Sequence, residues 1–411
     1  MPEERIEEKA NIFIARQPIF DNQSHVFAYE LLYRSDMENR AFIANDQLAT
    51  IKVIANSLLI GLQKLTDNKK AFINFDQKLL LAHAPLLFSR DILGVEIVET
   101  IQPELYVIRE CSRIKRAGYS IVLDNFAYDE SLRPFIDMAD LIKVNFKTAS
   151  TLERRNVIER VNAPHIKFIA SKIENREEFQ EAVAFGYTYF QGFFFRKPSL
   201  VSRQEMPGYK ANYLNILRKI YDPNFNIEEI ESIIKHDVSL AYKLFRFINS
   251  ASYGFRVEIR SISHALLLLG KREIKRWLTI IVMSGIGKEK PMELMVTAVI
   301  RARFLESIAE EFKLEDHPSD LFLIGMFSLV EAFIDLPMSE ILAELPLDDH
   351  VKTVLMGEDG QSYDILGCVK AFEKGEWETV SSIAQKHKLN EEKLAVLYLD
   401  AVEWSKFLSN S

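Results

Sequence analysis

Tyr29-Glu30-Leu31-Leu32-Tyr33-Arg34 closes an apolar run, Val26-Phe27-Ala28-Tyr29, that has the composition of a buried strand. A carboxylate buried there without a partner costs several kcal/mol or takes up a proton. Glu30 therefore either pairs with Arg34 or meets a metal, another cation or water at the end of the strand. The same arrangement, a polar residue in or just after a β-branched or aromatic run, recurs along the first half of the chain.

Between Asn11 and Pro198 eight such runs follow one another: NIFIA, VFAYELLY, AFINF, VEIV, SIVLD, LIKVNF, IKFIA and YFQGFFF. Segments with helical spacing separate them, among them 46–65 and 103–117. Strand–helix alternation of this kind predicts an α/β domain with a mostly parallel sheet. Eight runs in that length suit a (β/α) barrel. An open doubly wound sheet is the alternative, but no GxGxxG turn follows the first strand. The polar residues in or just after the runs are Glu30, Asn74, Glu96, Asp124, Lys143 and Gln191. In a parallel barrel the carboxyl ends of the strands meet at one mouth. Three carboxylates, two amides and an amine gathered there would offer oxygen ligands suited to Mg²⁺ or Mn²⁺.

After Pro198 the strand signals stop. A polar stretch around 201–210, with Pro207-Gly208, reads as a linker, and the remainder, 211–411, reads as an all-α domain. Asn226 is placed to cap IEEIESIIKH, with Glu229 completing a capping box. Apolar residues at helical spacing mark 239–248, 261–269, 272–283, 292–312, 321–333 and 391–407. Glycine, proline or asparagine breaks, Gly270 and Pro291 among them, separate these stretches.

The length of 411 residues also favours two or three domains. A net charge of -8 argues against a general nucleic-acid binder. Cys111 and Cys368 form neither a CxxC nor a Cys/His cluster, which fits a reducing cytosol. The charged stretch Met1–Ala10 has no apolar h-region, and no apolar run reaches the roughly 20 residues of a membrane span. A cytoplasmic protein is expected.

With these residues in view, the first half resembles the EAL domain of cyclic di-GMP phosphodiesterases. YELLYR stands for the Glu-x-Leu-x-Arg motif, FINF carries Asn74, and VEIVET carries Glu96 and Glu99. IVLDNFA stands where the family has a double-aspartate DDFG loop, LIKVNF where it has Lys-x-Asp, and ASKIE where it has AEGVE. YFQGFFFRKP matches the terminal QG…P motif. The second half resembles the HDOD domain, a helical output module related to HD-type phosphohydrolases but lacking their metal ligands. KHDVSLAYKLFRFINSASYG with its Asn249-Ser250-Ala251, SISHALLLLG and LFLIGMFSLVEA carry that likeness, with Ser328 and Leu329 in place of a His-Asp pair. His236-Asp237 spells the HD pair, yet Asp237 aligns with a helix start rather than with a ligand. The combination resembles the YuxH-like EAL–HDOD proteins.

The resemblance implies hydrolysis of a phosphodiester by a water activated between two metal ions. Carried over, Glu30, Asn74, Glu96 and Asp124 would hold the first metal. Lys143 would activate or orient the water, and Arg34 and Gln191 would meet the dinucleotide. The departures fall on the other metal: Asn125, Asn145 and Ser171 stand where the family has acids, and Ala127 replaces the loop glycine, while Glu174 is kept. Hard cations depend on carboxylate charge, so at most one weakened Mg²⁺ or Mn²⁺ site is expected. The expected function is a degenerate EAL domain sensing cyclic di-GMP or a protein partner, with the HDOD domain as output through a protein partner. The alternative is an active phosphodiesterase. By analogy with EAL domains, a homodimer is implied.

Overall fold

The computed structural model describes residues 12–35, 62, 65–194, 208–222, 224, 226–236, 238–248, 261–358 and 360–408. Contacts divide the chain into two units. One joins Met1–Phe194 with Lys370–Leu399, and the other joins Phe195–Val369 with Asp400–Ser411.

In the first unit eight strands among the described residues close a barrel. They are β1 (Ile12–Phe20), β2 (Val26–Ser35), β3 (Lys70–Phe75), β4 (Leu93–Ile97), β5 (Ser120–Leu123), β6 (Leu141–Asn145), β7 (Lys167–Ile173) and β8 (Tyr189–Gly192). Each expected apolar run forms one of them. β2 to β8 pair in parallel, whereas β1 is antiparallel to both β2 and β8. The cause is local. Asp21 starts a tight turn in which its Oδ1 accepts from the backbone N–H of Gln23 and of His25, both at 2.9 Å. A connection this short joins only antiparallel strands, because a parallel pair needs a crossover.

Helices Leu105–Arg116, Thr151–Val161 and Arg176–Phe185 provide crossovers around the barrel. The second of these starts with a full capping box between Ser150 and Glu153. The segment expected to be helical at 46–65 lies outside the described residues, apart from Leu62 and Leu65. The barrel interior is filled by a layer comprising Ile19, Ala28, Phe72, Val122, Leu141, Ile169 and Tyr189. Gly94 of β4 lies against the Phe72 ring, where a Cβ would collide.

Gly192, the glycine of the QG motif, has φ +150, and a Cβ there would run into the Ile173 backbone of β7. Gly192→Ala is therefore expected to cost about 1–3 kcal/mol from overpacking alone, read as a lower denaturant midpoint. An unchanged midpoint would contradict this packing.

Residues Lys370–Leu399 belong with the barrel, although the sequence reading placed the whole of 211–411 in one helical domain. They sit on β1. Phe13 packs on Trp377 with ring centroids 6.2 Å apart, and the Tyr398 hydroxyl accepts from the Arg16 backbone N–H at 3.4 Å. Nothing in the local helical periodicity of these residues distinguishes them from their neighbours.

The second unit is helical among its described residues. Asn226 Oδ1 accepts from Glu228 N at the start of helix Ile227–His236. The two helices expected at 261–269 and 272–283 form one element, Ile262–Ile286, broken at Gly270 with φ 70. Met292–Phe312 has the expected bounds. The 321–333 stretch is two helices, Pro318–Phe327 and Val330–Ile334. Further helices at Met338–Glu344 and Asp349–Met356, like Trp377–Lys386 in the first unit, lack the long periodic runs by which the others were legible. The expected linker at 201–210 lies outside the described residues except for Gly208–Lys210, which open helix Gly208–Tyr221. No helix among the described residues is long and apolar enough to cross a membrane.

Candidate functional site

Side chains along a strand face one way at every second residue. Two residues on from the apolar layer, toward the carboxyl ends of the parallel strands, the same interior face continues as Glu30, Asn74, Asp124, Lys143, Ser171 and Gln191. β4 adds Glu96, two residues after Gly94. In β1 the chain runs the other way, so the equivalent residue precedes Ile19 by two and is Gln17. A second, polar layer thus lies on top of the apolar one.

Its centre is the Lys143 ammonium, 2% exposed. Lys143 Nζ lies 3.1 Å from Glu30 Oε2, 2.5 Å from Glu96 Oε1 and 3.3 Å from Asp124 Oδ1. Glu30, whose cation is Lys143, also accepts from Asn74 Nδ2 at 3.2 Å and from Gln191 Nε2 at 2.5 Å. Gln191 Nε2 reaches Gln17 Oε1 at 3.3 Å, and Gln17 Nε2 donates to the Glu373 and Lys374 carbonyls at 3.4 Å. The sequence reading missed Gln17. Its signal was an amide within the otherwise apolar run Ile12–Phe20, legible only once the direction of β1 is known.

One ammonium faces three carboxylates, so full ionisation would leave negative charge uncompensated. Burial, together with the charges of Glu30 and Asp124, pushes the Glu96 carboxyl well above the usual range despite Lys143. Asp124 is also raised, by burial first and then by Glu30, against the pull of Lys143. Burial acts upward on Glu30 too, but the Lys143 charge and the Gln191 amide hold it below its ordinary value. Burial disfavours charge on Lys143, yet its three acidic neighbours raise it well above the ordinary lysine value.

Two buried acceptors in this cluster, Glu96 Oε2 and Asn74 Oδ1, have no hydrogen-bond partner. Unsatisfied oxygens beside surplus carboxylate charge are the donor chemistry of a hard cation such as Mg²⁺ or Mn²⁺. As the side chains stand, however, no group of three or more His, Cys, Asp or Glu among the described residues is arranged to hold a metal ion. Lys143 lies among the acids instead.

The other family positions are turned elsewhere. Asn125, with φ 46, donates through Nδ2 to Glu99 Oε1 at 3.0 Å. Asn145 Oδ1 accepts from Lys147 N at 2.9 Å within its own loop. Ser171 is buried and its hydroxyl donates to the Val144 carbonyl at 3.1 Å. Glu174 lies 3.8 Å from Lys147 on the surface. Asn125, Asn145 and Ser171 bring no carboxylate to these positions. Asp124 and Asn125 also line a cavity of about 430 Å³ with Glu99, Asp129 and Phe135, at the carboxyl ends of β4 and β5. The side chain of Arg34 lies outside the described residues.

In the second unit Ser328, at the place of a His-Asp pair, accepts from Arg301 at 2.7 Å and donates to the Gly325 carbonyl at 2.7 Å. Asp237, the His236 side chain and Asn249-Ser250-Ala251 lie outside the described residues.

The HDOD domain family matches residues 206–336. Over 402 residues the chain is 34% identical to the uncharacterized protein YuxH of Bacillus subtilis (strain 168), covering 96% of this chain and 98% of that protein. It is 30% identical over 400 residues to the cyclic di-GMP phosphodiesterase CdgJ of Vibrio cholerae serotype O1, covering 96% and 92%. Among solved structures it is similar to an EAL domain protein from Listeria monocytogenes EGD-e. That match has 18% identity and a TM-score of 0.38 over 45% of this chain and 87% of that one.

Proposed function

Because the chain belongs to the EAL–HDOD family of YuxH and CdgJ, we propose that it is a signal-transduction protein whose barrel senses cyclic di-GMP without hydrolysing it. In this reading the HDOD domain passes the signal to a protein partner. The observation that carries it is the state of the second acid set. Asn125, Asn145 and Ser171 bring no carboxylate, and each is engaged in a hydrogen bond to its own protein. Clamping the attacking and leaving oxygens of a phosphodiester takes two ions, and this barrel supplies donors for one.

Glu30, Asn74, Glu96 and Asp124 would hold that one Mg²⁺ or Mn²⁺ ion. When bound, the ion would neutralise the surplus carboxylate charge and meet a phosphate oxygen. Lys143 keeps Glu30 ionised and aligned; Gln191, itself held by Gln17, donates to the same carboxylate oxygen, and Asn74 donates to the other. The dinucleotide would reach this layer through the cavity beside Asp124, with Arg34 as the guanidinium for a phosphate.

A second reading, a metal-dependent phosphodiesterase, is favoured by the complete first set with its two unsatisfied oxygens. Its lysine and glutamate are the groups that would order a water. A single experiment separates the two. Purified chain is incubated with cyclic di-GMP and excess Mn²⁺, and the linear dinucleotide is followed by chromatography beside Glu30→Ala. Binding is measured in parallel by calorimetry. The sensor reading expects saturable binding with no product. Product that disappears in Glu30→Ala, and rises when Asn125 is changed to Asp, establishes the enzyme instead.

A further inference from the structure

The second unit contains a cavity of about 580 Å³, within the size range of small-molecule sites. One wall comes from the helical turn after the Gly270 break. Lys271, Arg272, Lys275 and Arg276 fall at spacings of one, four and five residues, which puts them on one helix face. All four line the cavity. Like charges four apart destabilise a helix, and this turn carries two such pairs. Arg276 is committed to the fold, paired with Glu306 and, at 2.9 Å, with Glu273. Arg272 has its carboxylates only at 3.5 and 4.0 Å. Lys275 lies over the Tyr221 ring, 5.6 Å from its centroid.

The facing wall has the opposite character. Asp320 and Asp348 line it together with His317, and Asp316 pairs with His350 at 3.0 Å nearby. Burial, with the charges of Asp348 and Asp316, raises the Asp320 carboxyl against the pull of His317 and His350. On the cationic wall burial, with the Lys271 charge, depresses Lys275. Glu306 also lines the cavity but is taken up by Arg276 and Arg303, so each wall still crowds its own sign, and a ligand carrying an anionic end and a donor end would relieve both.

We infer that this pocket binds a phosphate-bearing small molecule, with Lys271, Arg272 and Lys275 holding the phosphate and Asp320 and Asp348 accepting from its donor groups. The inference is independent of the barrel. Nothing in the barrel reading requires a ligand here.

The test uses the full chain, titrated calorimetrically with pyrophosphate and, separately, with adenosine 5′-triphosphate, whose adenine amine supplies a donor. Both probes are expected to bind, the nucleotide more tightly. The double variant Lys271→Ala, Lys275→Ala should weaken both by about tenfold or more, since it removes two charge-assisted contacts. Asp320→Ala should narrow the difference between the probes. Both lysines are at or near the surface, so the double variant is expected to melt with the parent protein. Should it not fold, Lys275→Gln carries the same comparison. Failure of either probe to bind at millimolar concentration overturns the inference. So does binding that is indifferent to the lysine changes, or capture of polyaspartate with no affinity for pyrophosphate.

Discussion

Lys143→Met is expected to destabilise the barrel by about 3–5 kcal/mol, the cost of removing one partner from a buried ion pair. Methionine matches the length of the lysine stem and fills the same space, so the loss is electrostatic rather than a cavity effect. Without the ammonium, Glu30, Glu96 and Asp124 face one another in a buried layer, where the side-chain donors among the described residues are the Asn74 and Gln191 amides. Their carboxyls would then all be raised by burial and mutual repulsion. A raised carboxyl takes up a proton on folding, so the penalty is full above the raised values and shrinks as pH falls toward the ordinary carboxylate range. The measurement is denaturant unfolding of parent and variant across that range, with hydrogen exchange of β2, β4 and β6 to locate the loss. Equal midpoints at neutral pH would show that the ammonium does not hold this layer together. Added Mn²⁺ provides an independent check. If the first oxygen set holds a cation, Mn²⁺ should raise the variant's midpoint more than the parent's, because binding to the folded state alone stabilises by mass action.

Gly325→Ala should go the opposite way from helix propensity. Gly325 lies inside helix Pro318–Phe327, where replacing glycine by alanine ordinarily gains about 1 kcal/mol of helix propensity. In the fold this helix meets Met292–Phe312 backbone to backbone. A Cβ on Gly325 would stand 2.5 Å from Ala302 Cα, 2.6 Å from Ala302 N and 2.9 Å from the Arg301 carbonyl carbon. Backbone cannot swing aside as a side chain can, so the helices must part. The expected loss is about 3 kcal/mol, the upper end of the overpacking range, read as a fall in the denaturant midpoint of the second unit. A gain in stability would mean that the two helices do not pack at this distance. Arg301 and Ser328 are joined one turn away, so a change in their environment should accompany the loss.

The strands were legible because their signals are local. A run such as Phe72-Ile73-Asn74-Phe75 shows both its burial and its odd polar member within four residues, and Gly270 shows as a break in an otherwise helical stretch. The two families were legible for the same reason, since their motifs are short and occur in order. The candidate site was legible as a set of residue types but not as an arrangement. Glu30 could have met Arg34, a metal, another cation or water; the partner is a cation, Lys143, 113 positions away in β6.

Tertiary structure alone decided the pairing of charges, the reversed direction of β1 that brings Gln17 into the layer, and the grouping of Lys370–Leu399 with the barrel. It also decided which helix glycine is a contact rather than a weakness. The physical reason is common to all of these. Alternation and helical period report which face of an element is apolar, a property of a few neighbouring residues. Which buried groups share a face, and at what distance, depends on closing the sheet and packing elements far apart in the chain. By itself the sequence determined the eight strands, their order and the family, and the closure of the barrel determined that three of its acids share one lysine.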